Sequence, residues 1–318
     1  VMGCSSSCQI FEKLSTALQW IACNKLGVQH MSHILDDFMF FGKPDTNDCS
    51  KALKSFIHMS ESLGIEIKKE KTVLPSTKVE LHGLLVDTVK MQVSLPDDKL
   101  CKTKQKVSEM SRKKSTTLNE LQSVIGLLNF CTKVVAPGRP FLRRLIDLTK
   151  GKSRPNHHIK LNNEARADLR CWREFLESFN GVAIIKHIPW TSSNSIKLFS
   201  DASFQACAAI CGSKWIQVKF PKAWKNVSIA PKELLPIMLA FKLWHKELRG
   251  CNVLFLVDNM SIVQVLNKKT SKDALIMKMI RQMTLTSLCN QTDYAATHIP
   301  GKHNLIPDML SRLQEQKA

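Results

Sequence analysis

Residues 11–26 place Phe11, Leu14, Leu18, Ile21, Ala22 and Leu26 at helical spacing, so an amphipathic helix is predicted there. MSHILDDFMFFG follows, two β-prone apolar stretches around Asp36-Asp37 closed by Gly42, which reads as a hairpin with two carboxylates at its tip. A helix is predicted over 46–64, ending at Gly64, and short strands at 79–88 and 90–95. A helix begins at Thr117 with Leu118, Leu121, Val124, Ile125 and Leu128 on its buried side. Pro137-Gly138 breaks it before an Arg-rich second helix, and a third spans 162–180 with Trp172 and Phe175. The polar stretch 191–195 reads as a linker. Beyond it strands are predicted at 196–203, twice within 205–220, at 252–259 and again in DYAATHIP. The strongest amphipathic helix is 231–248, with Pro231 in its first turn and Gly250 past its end. One or two helices over 261–290 and a terminal helix from about Pro307 complete the pattern, which contains no internal repeat.

Charge sharpens this picture. The 318 residues carry a formal net charge of +19, which points to a polyanionic partner, nucleic acid before a membrane surface. Segment 97–160 holds fifteen Lys and Arg against five acidic residues, more than half of that excess. Helices beneath such a run favour a phosphate-tracking groove over a merely solvated face, with Lys113, Lys114, Arg139, Arg143 and Arg144 as its contacts and Lys68, Lys69 and Lys71 extending it. No stretch approaches 18 consecutive apolar residues, so a spanning helix is excluded. No basic-then-apolar leader opens the sequence, and an intracellular place, cytoplasm or nucleus, is expected. The eleven cysteines lack zinc spacing and read as reduced, small hydrophobic side chains.

The candidate chemistry lies in carboxylates. Asp201 and Asp258 each sit at or near the end of an apolar strand, where a charge needs a partner or a metal. Glu233 and Asp308 fall in the first turns of predicted helices, where a lone acid usually does no more than complement the helix dipole. If adjacent parallel strands and two helix starts bring the four together, the set suits two hard divalent cations, the arrangement of two-metal nucleases. Asp36 and Asp37 have a bland competitor as a solvated turn, but the apolar flanks argue for a rigidly held tip.

The sequence SDAS, KELLPIMLAFKLW, LVDN and HIPGKHNLIPDMLSR, carrying Asp201, Glu233, Asp258 and Asp308 in that order, resembles the ribonuclease H domain of retrotransposon polyproteins. Upstream, MGCSSSCQIFEKLSTALQWIA, HILDDF, LGIEIKKEKT and VELHGLLVD resemble the later part of a reverse transcriptase palm. TLNELQSVIGLLNFCTKVVAPGRPFLRRL resembles the thumb and connection that follow it. The wording is closest to DIRS-type retrotransposons, which carry a tyrosine recombinase, and the resemblance covers nearly the whole chain. It implies a mixed α/β fold in three parts: a partial palm (1–96), a basic helical thumb/connection (97–190) and a ribonuclease H-like five-stranded mixed sheet flanked by helices (191–318). It further implies that Asp201, Glu233, Asp258 and Asp308 bind two magnesium ions, with manganese as a substitute, and cut the RNA strand of RNA–DNA hybrids. Asp36 and Asp37 would belong to the polymerase metal site. The family's further metal-binding Asp lies upstream of the MGCSSS segment and is not in this sequence, and Ile34 stands where an aromatic residue is usual. Polymerase activity is therefore expected only of a longer chain. A catalytically silent nucleic-acid-binding relic is the alternative from another class; an integrase would order its acids Asp, Asp, Glu.

Around the nuclease acids, His298 and His303 are candidate proton shuttles, with a solvent-facing loop role as the competing reading. Asn259 and Asn304 are candidates for orienting a carboxylate or touching the hybrid's 2′-hydroxyls. Trp215 and Trp224 could be stacking platforms, Trp244 reads as core, and Trp190 as a packing residue at the domain junction. Oligomeric state is not legible.

Overall fold

A computed structural model describes residues 4–183 and 195–313; Trp190 and most of the 191–195 linker lie outside the described residues. The chain divides into two compact units, Val1–Val79 and Glu80–Ala318.

In the first unit, helix α1 (Ser7–Lys25) precedes strands β1 (Met31–Ile34) and β2 (Asp37–Phe40) and helix α2 (Asp48–Ser62). The two strands pair antiparallel with Ile34 opposite Asp37, so the hairpin is present and Asp36-Asp37 stand exposed at its tip. Leu35 makes the turn in the left-handed region (φ 53°), a conformation costly for a branched side chain. The Leu35 N–H donates to Glu12 Oε2 at 3.0 Å, a tie from α1 that helps to hold it. A small core of Leu18, Ala22, Val28, Met31, Phe56 and Met59 lies between helices and hairpin, with the Phe38 and Phe56 rings 4.6 Å apart.

The second unit contains a helical layer and a large sheet. Strands β3 (Lys78–Leu81), β4 (Leu84–Asp87) and β5 (Gln92–Ser94) lead into helix α3 (Asp97–Arg112). The single strand expected at 79–88 is instead two, broken at His82-Gly83, where both residues have positive φ. Strand β6 (Ser115–Thr117), helix α4 (Leu118–Cys131), a short 3-10 turn (Ala136–Phe141), helix α5 (Arg143–Thr149), strand β7 (His158–Lys160), helix α6 (Asn163–Ser178) and strand β8 (Val182–Ala183) follow. Thr117 and Glu120 form the reciprocal cap that starts α4 where the sequence places it. The predicted apolar stripe is buried: Leu118, Leu121, Val124 and Leu128 join Val107, Leu145, Leu169 and Trp172 in one core. Helix α4 ends at Cys131, earlier than Pro137-Gly138 would require; those two residues lie in the 3-10 turn that follows, against the Trp172 ring.

The remaining chain builds a mixed five-stranded sheet. Strands β9 (Ile196–Ala202), β10 (Ala206–Cys211) and β11 (Lys214–Lys219) form an antiparallel meander; helix α7 (Ile229–Leu243) leads to β12 (Asn252–Val257), and helices α8 (Met260–Lys268) and α9 (Ala274–Asn290) lead to β13 (Asp293–His298) and helix α10 (Leu305–Ser311). The order is β11-β10-β9-β12-β13, with β12 parallel to both β9 and β13. This is a five-stranded mixed sheet flanked by helices, as expected from the sequence. Val253, Phe255 and Val257 are fully buried in the core with α7, while Leu254 and Leu256 on the other face are nearly so, which explains the unbroken apolar run. Phe241, Phe255 and Tyr294 meet with ring centroids 5.5–5.9 Å apart. Trp244 is core, as read from the sequence. Helix α7 starts two residues earlier than expected and ends at Leu243, because Trp244 leaves helical geometry and the chain turns back through Gly250.

A Cβ added at Gly138 would stand 2.1 Å from Trp172 Cη2. The indole is fully buried, so it has nowhere to retreat. Gly138→Ala is expected to destabilise the chain by roughly 3 kcal/mol, measured by denaturant unfolding followed by circular dichroism; an unchanged midpoint would contradict this packing.

Candidate active site

The parallel register sets the site. Val253 to Leu256 of β12 lie opposite Ile196 to Phe199 of β9. Two further residues along each strand, the same register brings Asp258 alongside Asp201. Glu233 arrives from α7, one turn before Ile237 and on the same sheet-facing stripe as Ala240 and Phe241, so the burial that docks the helix also aims the acid at β9. The helix's early start puts Glu233 in its second turn rather than its first; it is a tertiary contact and not a dipole complement. Oxygen atoms of Asp201, Glu233 and Asp258 lie within 4.8 Å of one another. Asp201 and Glu233 are buried and Asp258 is half-buried, so the cluster opens to solvent on the Asp258 side.

The fourth acid is placed differently from expectation. Asp308 sits in α10 with Oδ1 held by Arg312 Nε at 2.7 Å, one helical turn away, and is not in the triad. It remains in electrostatic reach, since with Asp258 it pushes the Asp201 carboxyl upward. Arg312 offsets part of that push.

Burial raises both inner acids. Desolvation, then Asp201 and Asp258, push Glu233 up to about 8, against hydrogen bonds from the Ala202 N–H and the Asn259 side chain. Desolvation likewise raises Asp201, against donation from the Ser311 hydroxyl. Glu233 Oε2 is buried with no hydrogen-bond partner. Three converging oxygen donors, crowded negative charge and an orphaned carboxylate oxygen fit a hard divalent cation.

Asn259 takes the first of its two expected roles, orienting a carboxylate, while burial of Asn304 corrects its reading as a nucleic-acid contact. Asn259 accepts from the N–H groups of Ser261 and Ile262, capping α8, while its side chain also bonds Glu233. Asn304 is fully buried and its amide donates to the Ser200 carbonyl at 2.9 Å, locking β9 to the turn before α10. His298 is exposed, with Nε2 3.2 Å from the Asp258 carbonyl oxygen, and His303 is exposed in the 3-10 turn Gly301–His303. Ser311 was not singled out from the sequence. The only signal for it is the Ser three places after Asp308, a spacing that returns a side chain to the same helix face.

Of the basic candidates, Lys68, Lys69, Lys71, Lys113, Lys114 and Arg139 are exposed, although Lys113 pairs with Glu120 at 3.2 Å. Arg143 and Arg144 are corrections. Arg143 is bound to Asp147 at 2.7 Å within α5, and Arg144 bridges Glu164 and Asp168 of α6 at 3.3 and 3.0 Å, so one guanidinium serves its own helix and the other the packing of α5 on α6. Asp36 and Asp37 lie in the first unit, and among the described residues no further His, Cys, Asp or Glu joins them in a cation-sized cluster. Trp215 is exposed on β11, and Trp224 stacks on Phe220.

No protein-family model matches the sequence. The chain is similar to the Gag-Pro-Pol polyprotein of Mason-Pfizer monkey virus, 26% identical over 213 residues; the match covers 65% of this chain and 10% of that polyprotein. The chain thus spans about a tenth of the curated relative's length. Among solved structures it is similar to a foamy viral protease-reverse transcriptase in complex with double-stranded DNA, at 16% identity and TM-score 0.46, covering 94% of this chain and 59% of that one. It is also similar to a ribonuclease H1 from the halophilic archaeon Halobacterium salinarum NRC-1, at 14% identity and TM-score 0.31, covering 39% of this chain and 99% of that one. Among the described residues no helix is long and apolar enough to cross a membrane.

Because Glu233 holds its proton up to about pH 8 in the folded chain but releases it near pH 4.5 when unfolded, the folded state binds the extra proton between those values. Stability without divalent cations is therefore expected to fall as pH rises through this window, by up to about 1.4 kcal/mol per pH unit from this group. Glu233→Gln should flatten that slope in thermal melts run in EDTA from pH 5 to 8; an unchanged slope would count against the buried placement of this carboxyl.

Proposed function

We propose that the chain is part of a retroelement reverse transcriptase, of the tyrosine-recombinase-bearing DIRS type, whose five-stranded sheet domain hydrolyses the RNA strand of RNA–DNA hybrids with magnesium. The observation that carries this reading is the buried triad: Asp201, Glu233 and Asp258, from three distant points of the chain, meet within 4.8 Å at the ends of parallel strands. Asp201, Glu233 and Asp258 would hold the ion at the inner position, and Asp308, released from Arg312, would serve a second. When bound, the magnesium ions supply Lewis-acid polarisation of the phosphate and an acidified water as nucleophile.

The chain's own residues prepare that chemistry. Ser311 fixes Asp201, and the Ala202 N–H with Asn259 fixes Glu233, so neither acid must reorganise when a cation arrives. Half-burial of Asp258 leaves the open side for a phosphate. His298, exposed and with Nε2 3.2 Å from the Asp258 carbonyl oxygen, is the residue to pass a proton to the departing oxygen. Exposed lysines of α3 and the loop after it, with Arg139, supply sequence-independent phosphate contacts. DNA synthesis through Asp36 and Asp37 is proposed only as an activity of a longer chain.

The test is cleavage of a labelled RNA–DNA hybrid with and without magnesium, run beside Asp258→Asn. Cleavage is expected only with magnesium, and the substitution should reduce it by at least roughly a hundredfold, the order of what metal charge stabilisation supplies, while hybrid binding persists. Equal cutting by both proteins would refute the site. Millimolar magnesium should also raise the melting temperature of the parent chain at pH 8 but not that of Asp258→Asn.

A further inference from the structure

Beside the triad the structure builds a second feature that the hydrolysis does not use. Lys232, next to Glu233 on α7, is fully buried, yet among the described residues no carboxylate pairs with it. Its ammonium reaches only the Phe204 carbonyl, at 3.5 Å, and lies between two aromatic faces, 5.2 Å from the Phe204 centroid and 5.4 Å from that of Phe220. Phe220 in turn stacks on Trp224 at 5.6 Å with the planes 7° apart. Burying an ammonium without an anion is costly, so the rings that enclose it must be held closely.

The outermost ring is the unusual one. Phe204 is 75% exposed at the tip of the β9–β10 turn, three residues after Asp201. A lone exposed phenylalanine would mean little. This one is backed by a cation instead of core, and its turn is fastened. The Ser203 hydroxyl accepts the N–H groups of Gln205 and Ala206 at 3.0 and 3.1 Å and donates to the Ser311 carbonyl at 2.7 Å. Ser311 is the residue whose hydroxyl holds Asp201. The ring is thus fixed relative to the triad through Ser311 on one side and through Lys232 beside Glu233 on the other. A cation under one face draws π density inward and leaves the outer face free for an electron-rich surface.

We propose that Phe204, braced by Lys232 and Phe220, is a stacking platform for a nucleobase of the strand whose phosphate lies on the triad. Its ligand class is an unpaired nucleotide at the end of the hybrid, since bases within the duplex already stack on one another. The inference rests on the nucleic-acid-processing reading above and assigns a residue to substrate positioning.

The experiment measures binding apart from cleavage. Anisotropy of a labelled RNA–DNA hybrid carrying a single-stranded overhang is compared in EDTA for the parent chain, Phe204→Ala and Phe204→Trp, with a fluorescent purine analogue in the overhang as a second readout. Phe204→Ala is expected to weaken binding roughly 5- to 100-fold at an unchanged melting temperature, with the analogue's stacking quench lost, and Phe204→Trp should keep both. Equal binding by Phe204→Ala and the parent chain overturns the platform, and leaves the nuclease reading standing if the parent chain cleaves. A parent chain that binds no hybrid overturns both. Binding without cleavage refutes the catalytic reading alone, and the Phe204 comparison still decides the platform.

Discussion

Repulsion among three carboxylates confined to one small volume is the constraint around which the second unit is organised. Two of them are forced together by strand register alone: once β9 and β12 pair in parallel, Asp201 and Asp258 become neighbours. The third is driven in by the apolar stripe of α7, whose burial on the sheet leaves Glu233 no other direction. In a low-dielectric setting such crowding costs several kcal/mol per ion unless protons or cations relieve it. The hydrophobic core around Phe255, Phe241 and Tyr294 supplies the free energy that holds the acids in place.

The neighbouring polar groups follow from that constraint. Ser311, Asn259 and the Ala202 N–H donate to the acids, and Arg312 takes the fourth. Asn304 works one layer behind, tying the strand end to the turn that launches α10. Similar economy governs the basic helical layer. Arg143 and Arg144 are spent on Asp147, Glu164 and Asp168, the last of these buried, its carboxyl raised to about 6 by desolvation against the pull of Arg144. The lysines, which keep their charged ends in water more readily than they pair, are what the surface offers to a polyanion.

Much of this was legible in the residues. Thr117 announced the start of α4, the apolar run in 252–259 announced a buried strand, and acids at the ends of apolar runs marked the cluster. What could not be read depended on contacts distant in sequence. The break at His82-Gly83 requires two consecutive positive-φ residues, and histidine carries no such signal. The inward turn of Arg144 depends on where α6 packs. Asn304 looked like a ligand-facing loop residue because the sequence cannot show that the Ser200 carbonyl lies above it. The early start of α7 turned Glu233 from an apparent helix-start acid into the buried corner of the triad, and brought Lys232 beneath Phe204.

Helix α9 belongs to the sheet's core through Ile276, Met279, Ile280 and Met283, yet its Leu288 packs on the helical layer and its Arg281 donates to the Pro140 carbonyl at 3.4 Å. One helix is therefore shared by two cores. The spacing between the helical layer and the triad-bearing sheet is thus set by side chains of a single helix, and a change in the packing of either layer is felt by the other.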